Sequence, residues 1–426
     1  MNLATKTLIG IVLGIITGLG LSIYAPSVYD PLNNYILDPI GSLFIKAISM
    51  VVIPLVFSAI VTSITSTGSV KRLGQLGTRT ISLFVITTII ACTIGILTTI
   101  VIGPGLNVTL TDSAATAAEG TNGAHGASSA DPAKTPTLKE TVLNIIPSNA
   151  IGAMAQGSMI QVLIFSLFFG IGMAVLGEKV ETMRNLISQL NELMMKLVQI
   201  FMKVIPYAAF ALVAEAMGTA GVELVGSIAK YVIAILLGLA IQVFIVYGSM
   251  LMFLAKVNPL EFFRKMMPAI GTGFATSSSA ASLPVTKSCC ENELKMSKNV
   301  SSFVLTLGMT MNMNGASMSH GVAAVFVAQL NGIQLGFTEY LTIIFISLLA
   351  SVGAPAIPGG GFVSLSMIFL AVGLPIEGVG IAIIMGLWRL VDMPLTSVNV
   401  LGDAVCASVI EKRLNPDYLG KQSVTS

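Results

Sequence analysis

Apolar runs long enough to span a bilayer, which takes ~20 residues, recur at Thr7–Ala25, Ile40–Ile64, Ile81–Ile102, Ala150–Leu176, Leu193–Met217 and Ile228–Leu254, with further long stretches beyond Phe303. They predict a chain of membrane helices. The second half breaks the pattern: Phe274–Pro284 (Phe-Ala-Thr-Ser-Ser-Ser-Ala-Ala-Ser-Leu-Pro) and Ala350–Gly361 (Ala-Ser-Val-Gly-Ala-Pro-Ala-Ile-Pro-Gly-Gly-Gly) are polar or Gly/Pro-rich, and their apolar flanks are too short to span. Either patch alone also reads as a surface turn; together they read as tips of re-entrant hairpins. Irregular backbone survives at membrane depth only where protein or a watery cavity satisfies it, and paired interruptions in an internally repeated chain point to a transporter's central site. Between them, Thr306–Ser317 holds Asn312, Asn314 and Gly315, poor helix-interior residues that predict a local unwinding. An unwound turn exposes carbonyl oxygens, hard ligands suited to a small cation; the alternative is a kink with interhelical amide bonds.

The last apolar stretch, Gly378–Ile410, carries Arg389, Asp392, Thr396, Asn399 and Asp403. From Asp392, the next three fall at i+4, i+7 and i+11, one narrow helical face, and Arg389 joins its edge at i−3. A charge at the bilayer centre costs ~2.5–3.5 kcal/mol on insertion scales, so such residues pair, line a cavity or bind ions and substrate. The plain alternative is a polar helix–helix contact.

Composition agrees with a polytopic membrane protein: of 426 residues, 54% are hydrophobic and 10% charged. A net charge of +2 without basic runs interleaved with aromatics argues against nucleic acid. Cys92, Cys289, Cys290 and Cys406 lack zinc-type spacing and read as free thiols. The first segment, after Lys6, reads as a retained anchor rather than a cleaved signal. Lys71, Arg72 and Arg79 put the Ser69–Thr80 link in the cytoplasm, hence the N-terminus inside and Gly103–Glu140 outside. The Ala/Gly/Ser/Thr/Pro-rich Asp112–Thr135 predicts a flexible external loop, where Asn107-Val-Thr109 reads as an incidental glycosylation pattern.

The ordered motifs Thr276–Pro284, Asn312-Met-Asn-Gly315, Ala350-Ser-Val-Gly353 with Pro358-Gly-Gly-Gly361, and Asp392 to Asn399-Val-Leu-Gly-Asp403 resemble those of the dicarboxylate/amino acid:cation symporters, the glutamate transporter family. Ile53-Pro-Leu-Val-Phe57 and Ile145-Ile-Pro-Ser-Asn149 extend the resemblance over nearly the whole chain. It implies an all-α fold of eight transmembrane helices plus two re-entrant helical hairpins in inverted repeats, working as an elevator within a homotrimer in the cell membrane. The implied division is scaffold helices 1 and 2 in residues 1–80, transport-domain helix 3 in 81–102, an external loop in 103–140, scaffold helices 4 and 5 in 141–220, a transport domain in 221–414 and a tail in 415–426. By the same resemblance Ser278 and Ser279, with the backbone at Ala356, Pro358 and Gly359, clasp the substrate carboxylate, helped by helix N-termini. Asp392 holds the ammonium, Thr396 and Asn399 bond the polar groups, and Leu395 faces the side chain. Sodium falls to Asp403, Asn312, Asn399 and the Gly308 carbonyl at one site, and to Thr310 with the backbone of Ser351, Val352 and Ala354 at a second. Thr87, Thr88, Asn312 and position 314 form a third, and Met313 completes the sodium set.

Three departures shape the reading. Leu395 stands where acidic-substrate members carry an arginine, and Ser277 and Met393 where a second would sit, which favours a small neutral amino acid over an acidic one. Asn314 replaces a common aspartate, removing a charge from the third site. Trp388 stands at a position that is often acidic, and Arg389 beside it either pairs with Asp392 or reaches an acidic substrate. His320, with an unperturbed pKa near neutrality, is a candidate proton switch or a ring bonded to a neighbouring carbonyl. The resulting expectation is sodium-coupled symport of a serine-, alanine- or threonine-like amino acid, protons being a further candidate coupling ion. The alternatives are an acidic amino acid or C4-dicarboxylate, a passive channel, or a membrane enzyme using Ser277–Ser279, His320 and Asp392. No Gly-x-Ser-x-Gly elbow supports the last.

Overall fold

A computed structural model of the chain describes residues 3–66, 75–106, 146–221, 223–353, 360–376 and 378–418. Regular structure among them is helical throughout. In chain order the α-helices are α1 (Leu3–Tyr24), α2 (Pro26–Leu32), α3 (Asp38–Ser66), α4 (Gln75–Ile102), α5 (Ala150–Ala155), α6 (Met159–Leu176), α7 (Glu181–Met202), α8 (Ile205–Ala220), α9 (Glu223–Ala240), α10 (Pro259–Thr276), α11 (Ser279–Ser288), α12 (Lys298–Met311), α13 (Asn314–Leu330), α14 (Phe337–Gly353), α15 (Gly360–Ala371) and α16 (Val379–Leu414). Among the described residues five spans are long and apolar enough to cross a membrane: Thr5–Tyr24, Gly77–Ile102, Gln161–Phe201, Leu224–Ala255 and Val379–Leu414. Exposed Leu13, Ile16, Val101, Val175 and Phe253 give them outward faces that lipid would cover.

Two expected single spans are divided. Ala150–Leu176 is interrupted at Gln156–Ser158, where Gly157 takes φ +71°. Leu193–Met217 is split at Lys203-Val204 because α8 begins with Pro206 near its N-terminus, where a missing N–H breaks no helical bond. An apolar run therefore does not mark helix ends.

The first half packs through small residues. Gly10, Gly14 and Gly18 recur every four residues along one face of α1 and lie against the backbone of Pro206, Phe210 and Ala214 on α8. In the second half α13 is wrapped by α4, α14, α15 and α16, and is buried from Asn314 to Ala328. α16 runs unbroken through Pro394 and is buried from Leu395 to Glu411.

The feet of these elements fix their directions. Glu411, near the end of α16, accepts hydrogen bonds from the Ser297 backbone N–H (3.1 Å) and hydroxyl (2.7 Å) just before α12. Since Asn312, at the far end of α12, meets Asp403 higher on α16, the two helices run antiparallel. Ser301 on α12 donates to Glu291 (2.5 Å), which places the foot of the α10–α11 hairpin at the same end.

Candidate functional site

The expected unwinding lies at Asn312-Met313, between α12 and α13. Asn312 has φ −121° and ψ 58°, and Met313 φ −92° and ψ 63°. The break turns side-chain amides and backbone donors toward α16 and α4. Asn312 Nδ2 donates to Asp403 Oδ1 at 2.9 Å, and the Asn312 backbone N–H donates to the Gly308 carbonyl at 2.8 Å. Gly308 is needed for this approach, because a Cβ there would stand 2.5 Å from Asp403 Oδ1. One turn on, the Gly315 N–H donates to Asn399 Oδ1 at 2.7 Å, so an α16 amide caps the first turn of α13. Gly315 also lies against the Leu395 backbone carbonyl, where a side chain would collide.

From α4, Thr87 donates to Asn312 Oδ1 and Thr88 to Asn314 Oδ1, each at 3.1 Å. Asn314 Nδ2 donates to the Tyr247 hydroxyl at 2.9 Å, which in turn donates to the Val398 carbonyl at 3.2 Å. All these side chains are buried, so each polar atom depends on its neighbours for satisfaction. Asp403, Asn312, the Gly308 carbonyl, Asn399, Thr87, Thr88 and Asn314 are thus brought to one stretch of the helix break. Their donors are carboxylate, amide, hydroxyl and backbone oxygen, the set a hard monovalent cation takes, and no cluster of three His, Cys, Asp or Glu occurs among the described residues.

The first hairpin tip forms as a tight turn between α10 and α11. Ser277 takes the left-handed conformation (φ 50°), ending α10, and Ser278 caps α11 by accepting the Ala281 N–H at 3.2 Å. Ser279 is the first residue of α11, so the expected carboxylate clasp coincides with a helix N-terminus. Ser277 Oγ is buried and has no hydrogen-bond partner among the described residues. Of the second tip, Ala354, Ala356, Pro358 and Gly359 lie outside the described residues, as do the Asp112–Thr135 loop and Lys71-Arg72. Ser351 is buried near the end of α14 and donates to the Leu348 carbonyl, and Val352 follows it in that helix. Thr310 donates to the Leu307 carbonyl at 3.1 Å, and Met313 is buried at the break.

On α16, Thr396, Asn399 and Asp403 are buried, Leu395 is 2% exposed, and Asp392 is half-buried. Among the described residues no ion pair joins Arg389 to Asp392. His320 is held by two hydroxyls, Nδ1 against Ser347 Oγ at 3.0 Å and Nε2 against Ser364 Oγ at 2.7 Å. It therefore joins α13 to both α14 and α15. Sequence reasoning missed Tyr247 and Gln242, two polar side chains in the apolar Leu224–Ala255 span, both fully buried. Their position inside such a span was the available signal.

Residues 3–413 match the sodium:dicarboxylate symporter family. The chain belongs to that family. This symporter is 31% identical to the proton/sodium-glutamate symport protein of Geobacillus stearothermophilus, over 97% of this chain and 94% of the relative. It is 30% identical to the proton/glutamate-aspartate symporter of Escherichia coli (strain K12), over 96% and 92%. It is equally 30% identical to the neutral amino acid transporter B(0) of Bos taurus, over 97% and 80%. Similarity of one level to relatives named for acidic and for neutral substrates leaves specificity to the site residues.

Proposed function

We propose that this symporter carries a small neutral amino acid across the cell membrane together with sodium. The observation that carries the reading is the meeting of Asp403, Asn312, the Gly308 carbonyl and Asn399 at the break between α12 and α13. A buried carboxylate with one amide donor is poorly compensated, and a cation there would offset it. Asn312–Asp403 and Gly315–Asn399 both tie α16 to the break, so a cation ordering the first contact also sets Asn399 for substrate. That shared element supplies the coupling free energy symport requires. Asp392 then takes the substrate ammonium, the Ser278–Ser279 helix start its carboxylate, and Leu395 a small neutral side chain.

The wider architecture belongs to the same proposal: eight transmembrane helices with two re-entrant hairpins, a transport domain formed from residues 81–102 and 221–414 moving against a scaffold formed from 1–80 and 141–220, a homotrimer, and a cytoplasmic N-terminus. The test is uptake of labelled serine, alanine, cystine, aspartate and succinate into proteoliposomes, with sodium or potassium outside. Serine or alanine should accumulate uphill only with inward sodium. Accumulation of aspartate alone would overturn the neutral reading, and passive equilibration would indicate a channel. Leu395→Arg should move preference toward aspartate; a variant still preferring alanine would count against the pocket assignment.

A further inference from the structure

We propose that Arg389 is a substrate-contacting residue that sets specificity at the distal end of the site, selecting side chains that end in an oxygen acceptor. The inference rests on the transport reading above and deepens it. Arg389 Nε is buried and has no hydrogen-bond partner among the described residues, where no ion pair to Arg389 occurs either, and Asp392, one turn away, has an interaction of its own. An ionisable group inside a membrane span without a protein counter-charge is a functional-site group by default, its partner being ligand or cavity water.

Its place in the fold points to ligand. The foot of the α10–α11 hairpin lies at the C-terminal end of α16, so its tip points up α16 toward the N-terminal half. Along that path Ser397 Oγ donates to the Ile270 carbonyl at 3.1 Å, and a Cβ on Gly273 would meet Ser397 Cα at 3.4 Å. Seven residues beyond Ile270, about 10 Å along a helix, Ser277 reaches the level of Arg389 and Asp392. Around the α16 axis Arg389 sits about 60° from Asp392, on the side of Val400, which meets Gly273 of α10. Arg389 therefore projects from the edge of the polar face at about the level of the tip, where Ser277 Oγ is also buried and, among the described residues, without a hydrogen-bond partner. Carboxylate at the Ser278–Ser279 helix start and ammonium at Asp392 leave the planar donor fork of Arg389 for the side chain, suiting a hydroxyl, carboxamide or carboxylate oxygen better than a methyl.

The test compares Arg389→Met and Arg389→Lys with the parent protein in liposomes, using serine, asparagine, alanine and aspartate. Sodium-dependent thermal stabilisation reports that each variant folds. We expect Arg389→Met to raise KM for serine and asparagine about tenfold relative to KM for alanine, with Arg389→Lys recovering part of the ratio. Should the methionine variant not fold, the lysine variant, which keeps charge and loses the fork, gives the same comparison. An equal change for all substrates, or none, overturns the assignment. If the parent protein carries aspartate alone and Arg389→Met raises that KM, the neutral reading fails and the role of Arg389 stands; if that KM does not move, both fail.

Discussion

The seam between α1 and α8 and the crossing of α12–α13 with α16 both bring membrane helices into contact, with opposite chemistry. In the first, Gly10, Gly14 and Gly18 let two backbones touch over a long apolar face. In the second, Gly308 and Gly315 again remove side chains at the closest points, but the space admits Asp403, Asn312 and Asn399. Small-residue contacts gain from close packing and offer a ligand nothing. A polar crossing depends on every partner and can exchange one for an ion. The comparison marks one contact as close packing and the other as the place where the proposed cation would bind.

The sharpest way to break this comparison is Asp403→Asn. It removes the carboxylate that receives Asn312, and we expect sodium-stimulated uptake to fall at least ~100-fold while the protein still folds, because the polar contact serves binding. Unchanged sodium dependence in proteoliposomes would refute the cation assignment. Gly14→Leu tests the other side. A Cβ at Gly14 already comes within 2.7 Å of the Phe210 carbonyl, so we expect a loss of about 3 kcal/mol of stability, seen as a lower thermal midpoint in detergent, with the sodium affinity of the surviving protein unaltered. A changed sodium affinity at full stability would erase the distinction.

How far each contact was legible follows from the same chemistry. Asp392, Thr396, Asn399 and Asp403 announced a polar face because charge is rare in an apolar run, and Asn312 with Gly315 announced the break through poor helix propensity. The hairpin turn was legible in its serines, which serve as turn and cap at Ser277 and Ser278. Partners were not legible. Tyr247 lies far from Asn314 in sequence, and only packing brings its hydroxyl to that amide. Glu411, near the end of α16, holds the start of α12, a contact that its place in the sequence does not reveal. The i,i+3 spacing puts Arg389 and Asp392 on one face, yet no ion pair joins them among the described residues; spacing gives a shared face and not a contact.

Asn314 sharpens the contrast within the polar region itself. Its amide is satisfied on both sides, accepting from Thr88 and donating to Tyr247, so the Thr87–Thr88 corner closes as a neutral network. Asn314→Asp restores a charge there. We expect steeper sodium dependence of uptake, with the Hill coefficient rising by about one if another cation is recruited; an unchanged coefficient would show that charge was not what limited the corner.

The smallest expected effect is the most discriminating about how that corner is built. Tyr247→Phe deletes one oxygen, leaving Asn314 Nδ2 without an acceptor and the Val398 carbonyl without that donor, both in buried surroundings. The cost should be about 1–2 kcal/mol, read as a modest drop in thermal midpoint. In the Asn314→Asp background the same hydroxyl is free to donate to the new carboxylate, a charge-assisted bond of about twice the strength. Removing it there should cost more, and a double-mutant cycle should give a coupling energy above ~0.5 kcal/mol. Additive effects would mean that Tyr247 acts only through packing, and that the polar crossing tolerates the loss of a member as readily as an apolar seam does.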